Sequence, residues 1–173
     1  NRLLQGDVGS GKTVVAMITA YKAVKSGYQV AILAPTAILA TQHMANFEKM
    51  LSQFDIKCEL LISGISKKKK EDILERLKNG EIDILIGTHA MLEENVEFKN
   101  RGLVVTDEQH RFGVKKKTKI VQKGQNPDVL VMSATPIPRT LALILYGDLD
   151  ISIIDELPPN RKTIETFAVT NRM

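Results

Sequence analysis

Gly6-Asp7-Val8-Gly9-Ser10-Gly11-Lys12-Thr13 fits the pattern G-x-x-x-x-G-K-[ST] at every fixed position. Glycines let such a loop curl until successive backbone N–H groups point at phosphate oxygens, and a helix directly after it adds the positive end of its dipole. Lys12 then reaches the β- and γ-phosphates, and the Thr13 hydroxyl ligates Mg²⁺. Gly6, Asp7, Val8, Gly9, Ser10, Gly11, Lys12 and Thr13 are accordingly the candidate nucleotide-binding residues, with Lys12 also catalytic. The plain alternative is a glycine-rich turn with an accidental lysine. Against it, the loop joins a short apolar run, Leu3-Leu4, to a strongly helical stretch.

Working outward, short runs rich in Val, Ile and Leu alternate with segments of helical period, which is the pattern of an α/β fold with a parallel sheet covered on both faces. Strands are expected at Gln29 to Ala34, Glu59 to Ile62, Ile82 to Gly87, Leu103 to Asp107 and Val129 to Ser133. Helices are expected at Lys12 to Lys25, stopped by Gly27, and at Leu39 to Phe54, where Met44, Phe47, Leu51 and Phe54 form an apolar stripe. A third runs from Lys67 to Lys78 between an N-cap at Ser66 and a terminator at Gly80, and a fourth comes after Pro138. The segment from Glu156 to Lys162 breaks the periodicity and reads as a linker before a strand-like Ile164 to Val169.

The run Val104-Val105-Thr106-Asp107-Glu108-Gln109-His110 places two acids directly after an apolar strand. An Asp-Glu pair there is by itself weak, because acids often cap the helix or loop beyond a strand end. Beside the loop at Lys12 it becomes specific: Asp107 is the candidate metal residue with Thr13, and Glu108 the candidate base that orients or deprotonates the attacking water. His110 can hydrogen-bond toward the γ-phosphate on one side and a neighbouring strand end on the other. That neighbour is expected to be Ser133-Ala134-Thr135, so Gln109, His110, Ser133 and Thr135 form a candidate coupling set; capping of the next turn is the alternative for the two hydroxyls.

Composition bounds the rest. The 173 residues suit one domain with its own core, and 43% hydrophobic with 25% charged residues exclude a disordered or fibrous chain. A single cysteine, Cys58, permits neither an internal disulfide nor a cysteine-based zinc site. No apolar run approaches the roughly 20 residues that span a bilayer, so no membrane partner and a cytoplasmic address are expected. The net charge of +4 permits an anionic partner without requiring one.

In this order, Gly6 to Thr13, Ala34-Pro35-Thr36, Asp107 to His110 and Ser133-Ala134-Thr135 resemble the motifs of superfamily-two helicases over nearly all of the chain. The box with its Arg111-Phe112-Gly113-Val114 tail, Pro136 to Ala142 downstream, and Asp155-Glu156-Leu157-Pro158-Pro159 near the end are similar to RecG-type DNA helicases. Transcription-repair coupling factors share the tail and the Pro-Ile-Pro-Arg-Thr-Leu stretch. Gln109 rather than a second Glu, and Ser10 rather than an aromatic, favour the RecG type. Ser133 stands where the family often has Thr, which keeps the hydroxyl.

The resemblance implies a three-layer RecA-like P-loop NTPase domain over residues 1–155, with a linker over residues 156–173. It implies ATP and Mg²⁺ as cofactors and branched or forked DNA as partner. A second RecA-like domain, supplying an arginine to the transferring phosphate, belongs to such enzymes and is not in this chain. The adenine-recognising segment is also expected upstream of it. The chain alone is therefore expected to bind nucleotide weakly and to turn over negligibly. A coupling translocase, an RNA helicase, or a nucleotide-binding regulatory module without turnover are the alternatives.

Family motifs place DNA contacts at Pro35, Thr36, Thr88 and His89, with helix or loop capping as the alternative. Four cations at Lys67-Lys68-Lys69-Lys70 oppose the dipole of the helix they open. Either Glu71 and Asp72 compensate them locally or a phosphate does. Lys115-Lys116-Lys117 with Lys119 pose the same choice.

Overall fold

The computed structural model describes residues 1–107, 127–135 and 149–156. Seven strands form one sheet: β1 (Arg2–Gly6), β2 (Gln29–Leu33), β3 (Cys58–Leu61), β4 (Ile84–Gly87), β5 (Arg101–Thr106), β6 (Asp128–Ser133) and β7 (Asp150–Ile154). Their order across the sheet is β3-β4-β2-β5-β6-β1-β7, with every neighbouring pair parallel. Three helices are described: α1 (Lys12–Lys25), α2 (Ala37–Leu51) and α3 (Lys67–Asn79).

Central strands buried on both faces need apolar residues at every position, and β2 and β4 are buried throughout. Alternate residues of β2 go to opposite layers. Val30 and Ile32 join Ala16, Met17, Ala20, Ala40 and Phe47 beneath α1 and α2. Ala31 and Leu33 join Ile73 and Leu77 of α3 on the other face. The result is a three-layer α/β sandwich, as the run of alternating elements predicts, with the RecA-like layout that the family resemblance implies.

Boundaries reflect local chemistry. α1 ends where Gly27 takes φ 84°, and α3 where Gly80 takes φ 80°, a left-handed conformation open to glycine. The Ser66 hydroxyl accepts from the Lys69 N–H at 3.3 Å and starts α3. β4 begins at Ile84 rather than Ile82 because the Asp83 carboxylate turns back to accept the Lys57 N–H at 2.8 Å. α2 begins two residues earlier than its periodicity suggests, at the Thr36 N-cap, and closes in a 3-10 turn over Ser52–Phe54. Phe54 leaves the helix there to set its ring 4.8 Å from that of Tyr21.

Two described strands are not among those expected from the sequence: β1, which forms around the short apolar run Leu3-Leu4, and β7. β7 pairs with β1 from Arg2↔Asp150 to Gly6↔Ile154 and stands at the sheet edge, where Ile153 is 66% exposed. The expected helix after Pro138, the lysines at 115–117 and 119, and the linker and strand beyond residue 156 lie outside the described residues.

Cys58, on the opposite edge strand, is a thiol of low reactivity. Burial, with Glu48 and Asp83 adding negative charge, pushes its pKa up to about 12. Alkylation by iodoacetamide at pH 8 is expected to be at least about 100-fold slower than in the urea-unfolded chain, since only the thiolate reacts. The unfolded chain releases this proton first, so the thiol's contribution to stability is complete below its ordinary pKa of 9.0 and is lost as pH rises toward about 12. Equal alkylation rates in the folded and unfolded protein would contradict both statements.

Candidate nucleotide site

The loop between β1 and α1 is built as an anion cradle. Gly9 and Gly11 adopt φ of 81° and 95°, conformations that side chains disfavour. A Cβ on Gly6 would stand 2.5 Å from the Ser10 hydroxyl, so only glycine lets the loop close over itself. Gly11 occupies the N-cap position of α1, where no side chain caps the helix, and the first turn carries no acid. The positive end of the α1 dipole thus faces the loop, with no acidic side chain in the helix's own first turn. Ser10 Oγ is buried with no hydrogen-bond partner.

Lys12 leans over this cradle. Its ammonium donates to the carbonyls of Gly6 at 2.7 Å and Asp7 at 2.8 Å, which holds the charge at the loop mouth. Within the loop, Asp7 Oδ1 accepts the Val8 N–H at 2.7 Å. The half-buried Thr13 opens α1 directly behind Lys12. These features fit a nucleotide's phosphates with Mg²⁺. Among the described residues no cluster of three or more His, Cys, Asp or Glu side chains gathers. A Mg²⁺ here would take most of its ligands from phosphate and water, as that ion does.

The sheet order brings the other parts to the same edge. β6 lies between β1 and β5, with Gln5 opposite Ser133 and Thr106 opposite Val131. The ends of β1 and β5 are therefore two strand spacings apart, roughly 10 Å. In open parallel sheets ligands bind beyond such carboxyl ends. Asp107, the residue after β5, is anchored through its N–H to the Leu33 carbonyl at 3.0 Å. Glu108, Gln109 and His110 lie outside the described residues. Ser133, 2% exposed, and Thr135 bond each other through their hydroxyls at 3.1 Å, and the Thr135 N–H donates to Ser133 Oγ at 3.3 Å.

One partner of Asp107 is not expected from the sequence. His43, on α2, places Nε2 2.8 Å from Asp107 Oδ2, with only 8% and 15% of the two side chains exposed. The signal was a polar residue inside the apolar period. The buried positions of α2 are Ala40, His43, Phe47 and Leu51, so the true stripe passes through His43, and Met44 packs at its margin.

The positions matched to DNA contacts fall at the carboxyl ends of β2 and β4. Thr36 caps α2, its hydroxyl accepting from the Leu39 N–H at 3.3 Å, while Pro35 is half-buried beside it. Thr88 is buried, at 4% exposure, and its backbone bonds the Leu61 carbonyl, whereas His89 is exposed. Of the lysine run, Lys70 pairs with Glu93 at 2.6 Å and Lys67 with Glu71 at 3.8 Å. Asp72 pairs instead with Arg76 at 3.3 Å, and Arg76 also reaches Glu59 at 3.0 Å. Local carboxylates thus compensate two of the four cations.

Comparison with known proteins agrees with this arrangement. The DEAD/DEAH box helicase family model matches residues 1–144. The ATP-dependent DNA helicase RecG of Bacillus subtilis is 56% identical over 173 residues, all of this chain and 25% of its own length. RecG of Aquifex aeolicus is 56% identical over 168 residues, 96% of this chain and 21% of its own length. The structure of RecG bound to a three-way DNA junction superposes with a TM-score of 0.80 at 51% identity, covering 94% of this chain and 22% of that one. The helicase domain of Pyrococcus furiosus Hef, at 22% identity and TM-score 0.68 over 90% of this chain and 35% of that one, shares the fold. The chain thus spans about a quarter of the length of the curated relatives it matches. With a family model that matches residues 1–144 and relatives about half identical over nearly its whole length, this chain belongs to the DEAD/DEAH box helicase family and is similar throughout to RecG.

Proposed function

We propose that this chain is the first RecA-like motor segment of an ATP-dependent DNA helicase that remodels branched DNA, such as stalled forks and recombination junctions, in the cytoplasm. The observation that carries the reading is the pairing of an uncapped, lysine-bearing phosphate loop with Asp107 two strands away on the same sheet edge. Similarity to RecG over the full chain supports the choice of DNA over RNA and of branched over plain duplex substrate.

In this reading the chain's own groups divide the work of phosphoryl transfer. Loop N–H groups and the α1 dipole bind and orient the β- and γ-phosphates, and Lys12 exchanges its two carbonyl partners for phosphate oxygens. Thr13 and Asp107 would hold Mg²⁺, and the ion would supply positive charge to the phosphate oxygens. Glu108 takes the proton of the attacking water, and His110 with Gln109 passes the state of the site to Ser133 and Thr135. Pro35, Thr36 and the exposed His89 meet the sugar-phosphate backbone, which a sequence-independent motor must grip, while the buried Thr88 leads into His89 from the end of β4. A second RecA-like domain completes the site with an arginine.

The test is ATP turnover and strand separation by the full-length protein with three-way junction, forked, linear duplex and RNA substrates. Junction or fork DNA is expected to stimulate turnover at least about tenfold over linear duplex and RNA. Equal stimulation by RNA would remove the choice of DNA as substrate, and turnover indifferent to nucleic acid would remove the helicase reading itself.

A further inference from the structure

We propose that His43 is a positioning residue for the metal carboxylate: its imidazole fixes Asp107 so that one oxygen stays aimed into the nucleotide site. The proposal rests on the reading of Asp107 as the metal residue. Its geometric basis is a 2.8 Å contact between two nearly buried side chains that lie 64 positions apart in sequence. An ionised carboxylate can only accept, so Nε2 carries the proton and donates.

Among the described residues His43 Nδ1 is buried without a hydrogen-bond partner, in a stripe otherwise made by Ala40, Phe47 and Leu51. An apolar residue would fill this position and leave no nitrogen unpaired, which is the cheaper way to build a core. What the imidazole alone supplies is the N–H to Asp107. Capture of Oδ2 leaves Oδ1 to ligate a metal or to accept from its water shell, and it removes the rotamer freedom of an aspartate at a strand end. Partners of this kind change metal affinity by about 10–100-fold when they are removed.

The full-length protein with ADP, titrated with Mn²⁺ and monitored by electron paramagnetic resonance, tests this directly. His43→Phe keeps a ring of similar volume and removes the donor. Mn²⁺ affinity is expected to fall at least about tenfold, while affinity for fluorescent ADP in EDTA stays within a factor of two. His43→Gln, whose amide N–H reaches about as far as Nε2, is expected to recover most of the loss. Asp107→Asn is expected to lose at least as much as His43→Phe, and the double variant little more. If His43→Phe binds Mn²⁺ as the parent does while Asp107→Asn does not, His43 has no positioning role. Parental Mn²⁺ affinity in Asp107→Asn would overturn the metal assignment itself, and the proposal with it. Should His43→Phe fail to melt cooperatively, His43→Asn, too short to reach Asp107, is read by the same criteria.

Discussion

Lys12→Ala is expected to lower Mg–ATP turnover by the intact protein on saturating forked DNA about a thousandfold, with its melting temperature nearly unchanged. The asymmetry comes from what Lys12 touches. Within the fold its ammonium donates part-buried hydrogen bonds to the Gly6 and Asp7 carbonyls. Each such bond is worth about 1 kcal/mol net, because a carbonyl at the loop mouth can regain water, so the cost to stability is small beside the loss of turnover. In turnover the same ammonium faces charge that grows on the transferring phosphoryl group, where loss of one preorganised donor costs about 100- to 1000-fold. Lys12→Arg is expected to recover little. A guanidinium is a planar fork of fixed geometry, and the cradle holds a compact charge nearly equidistant from the Gly6 and Asp7 carbonyls. Steady-state turnover beside thermal melting decides the matter: activity within a factor of ten of the parent would show that the loop does not act on phosphate.

The nucleotide end of this molecule is legible in sequence because its chemistry is local. Eight consecutive residues carry the cradle, and each glycine among them answers a backbone need visible in the fold: positive φ at Gly9 and Gly11, and closeness to Ser10 at Gly6. The buried strands are legible for a similar reason, since a strand covered on both faces must be apolar without interruption. β7 escapes that rule. As an edge strand it alternates Asp150, Ile151, Ser152 and Ile153, and five such residues carry too little pattern to separate from a loop. His43 escapes for the opposite reason. Its partner is 64 residues away, and only the sheet order, which sets β5 beside β2 and so brings Asp107 next to the start of α2, makes the pair. The sequence stripe took in Phe47 and Leu51 of the buried row but ran through Met44 where the row passes through His43, and that one-residue offset concealed a polar side chain pointing inward.

Gly87→Ala is expected to be the most damaging single-methyl change in the described part of the chain, at about 4 kcal/mol. A Cβ at this position would overlap the Leu61 carbonyl and stand 2.9 Å from both Cγ and Sδ of Met91. Met91 is flexible and can give way. The Leu61 carbonyl cannot, because Leu61 is the registered partner of Gly87 in the β3–β4 ladder and also accepts the Thr88 N–H. Relief therefore requires the two strand ends to part, which loses ladder bonds and opens the fully buried Leu61 and Ile86 to water, beyond the usual 1–3 kcal/mol of overpacking. The damage extends toward function. The Gly87 carbonyl accepts the Ala34 N–H at 2.8 Å, and Ala34 leads directly into Pro35 and Thr36. Urea unfolding should show the stability loss, and DNA affinity of the folded fraction should fall with it, whereas fluorescent ADP affinity should hold because the phosphate loop lies across β2, β5 and β6 from this point. A parental unfolding midpoint for Gly87→Ala would mean that the close approach of β3 to β4 is not a constraint on the fold.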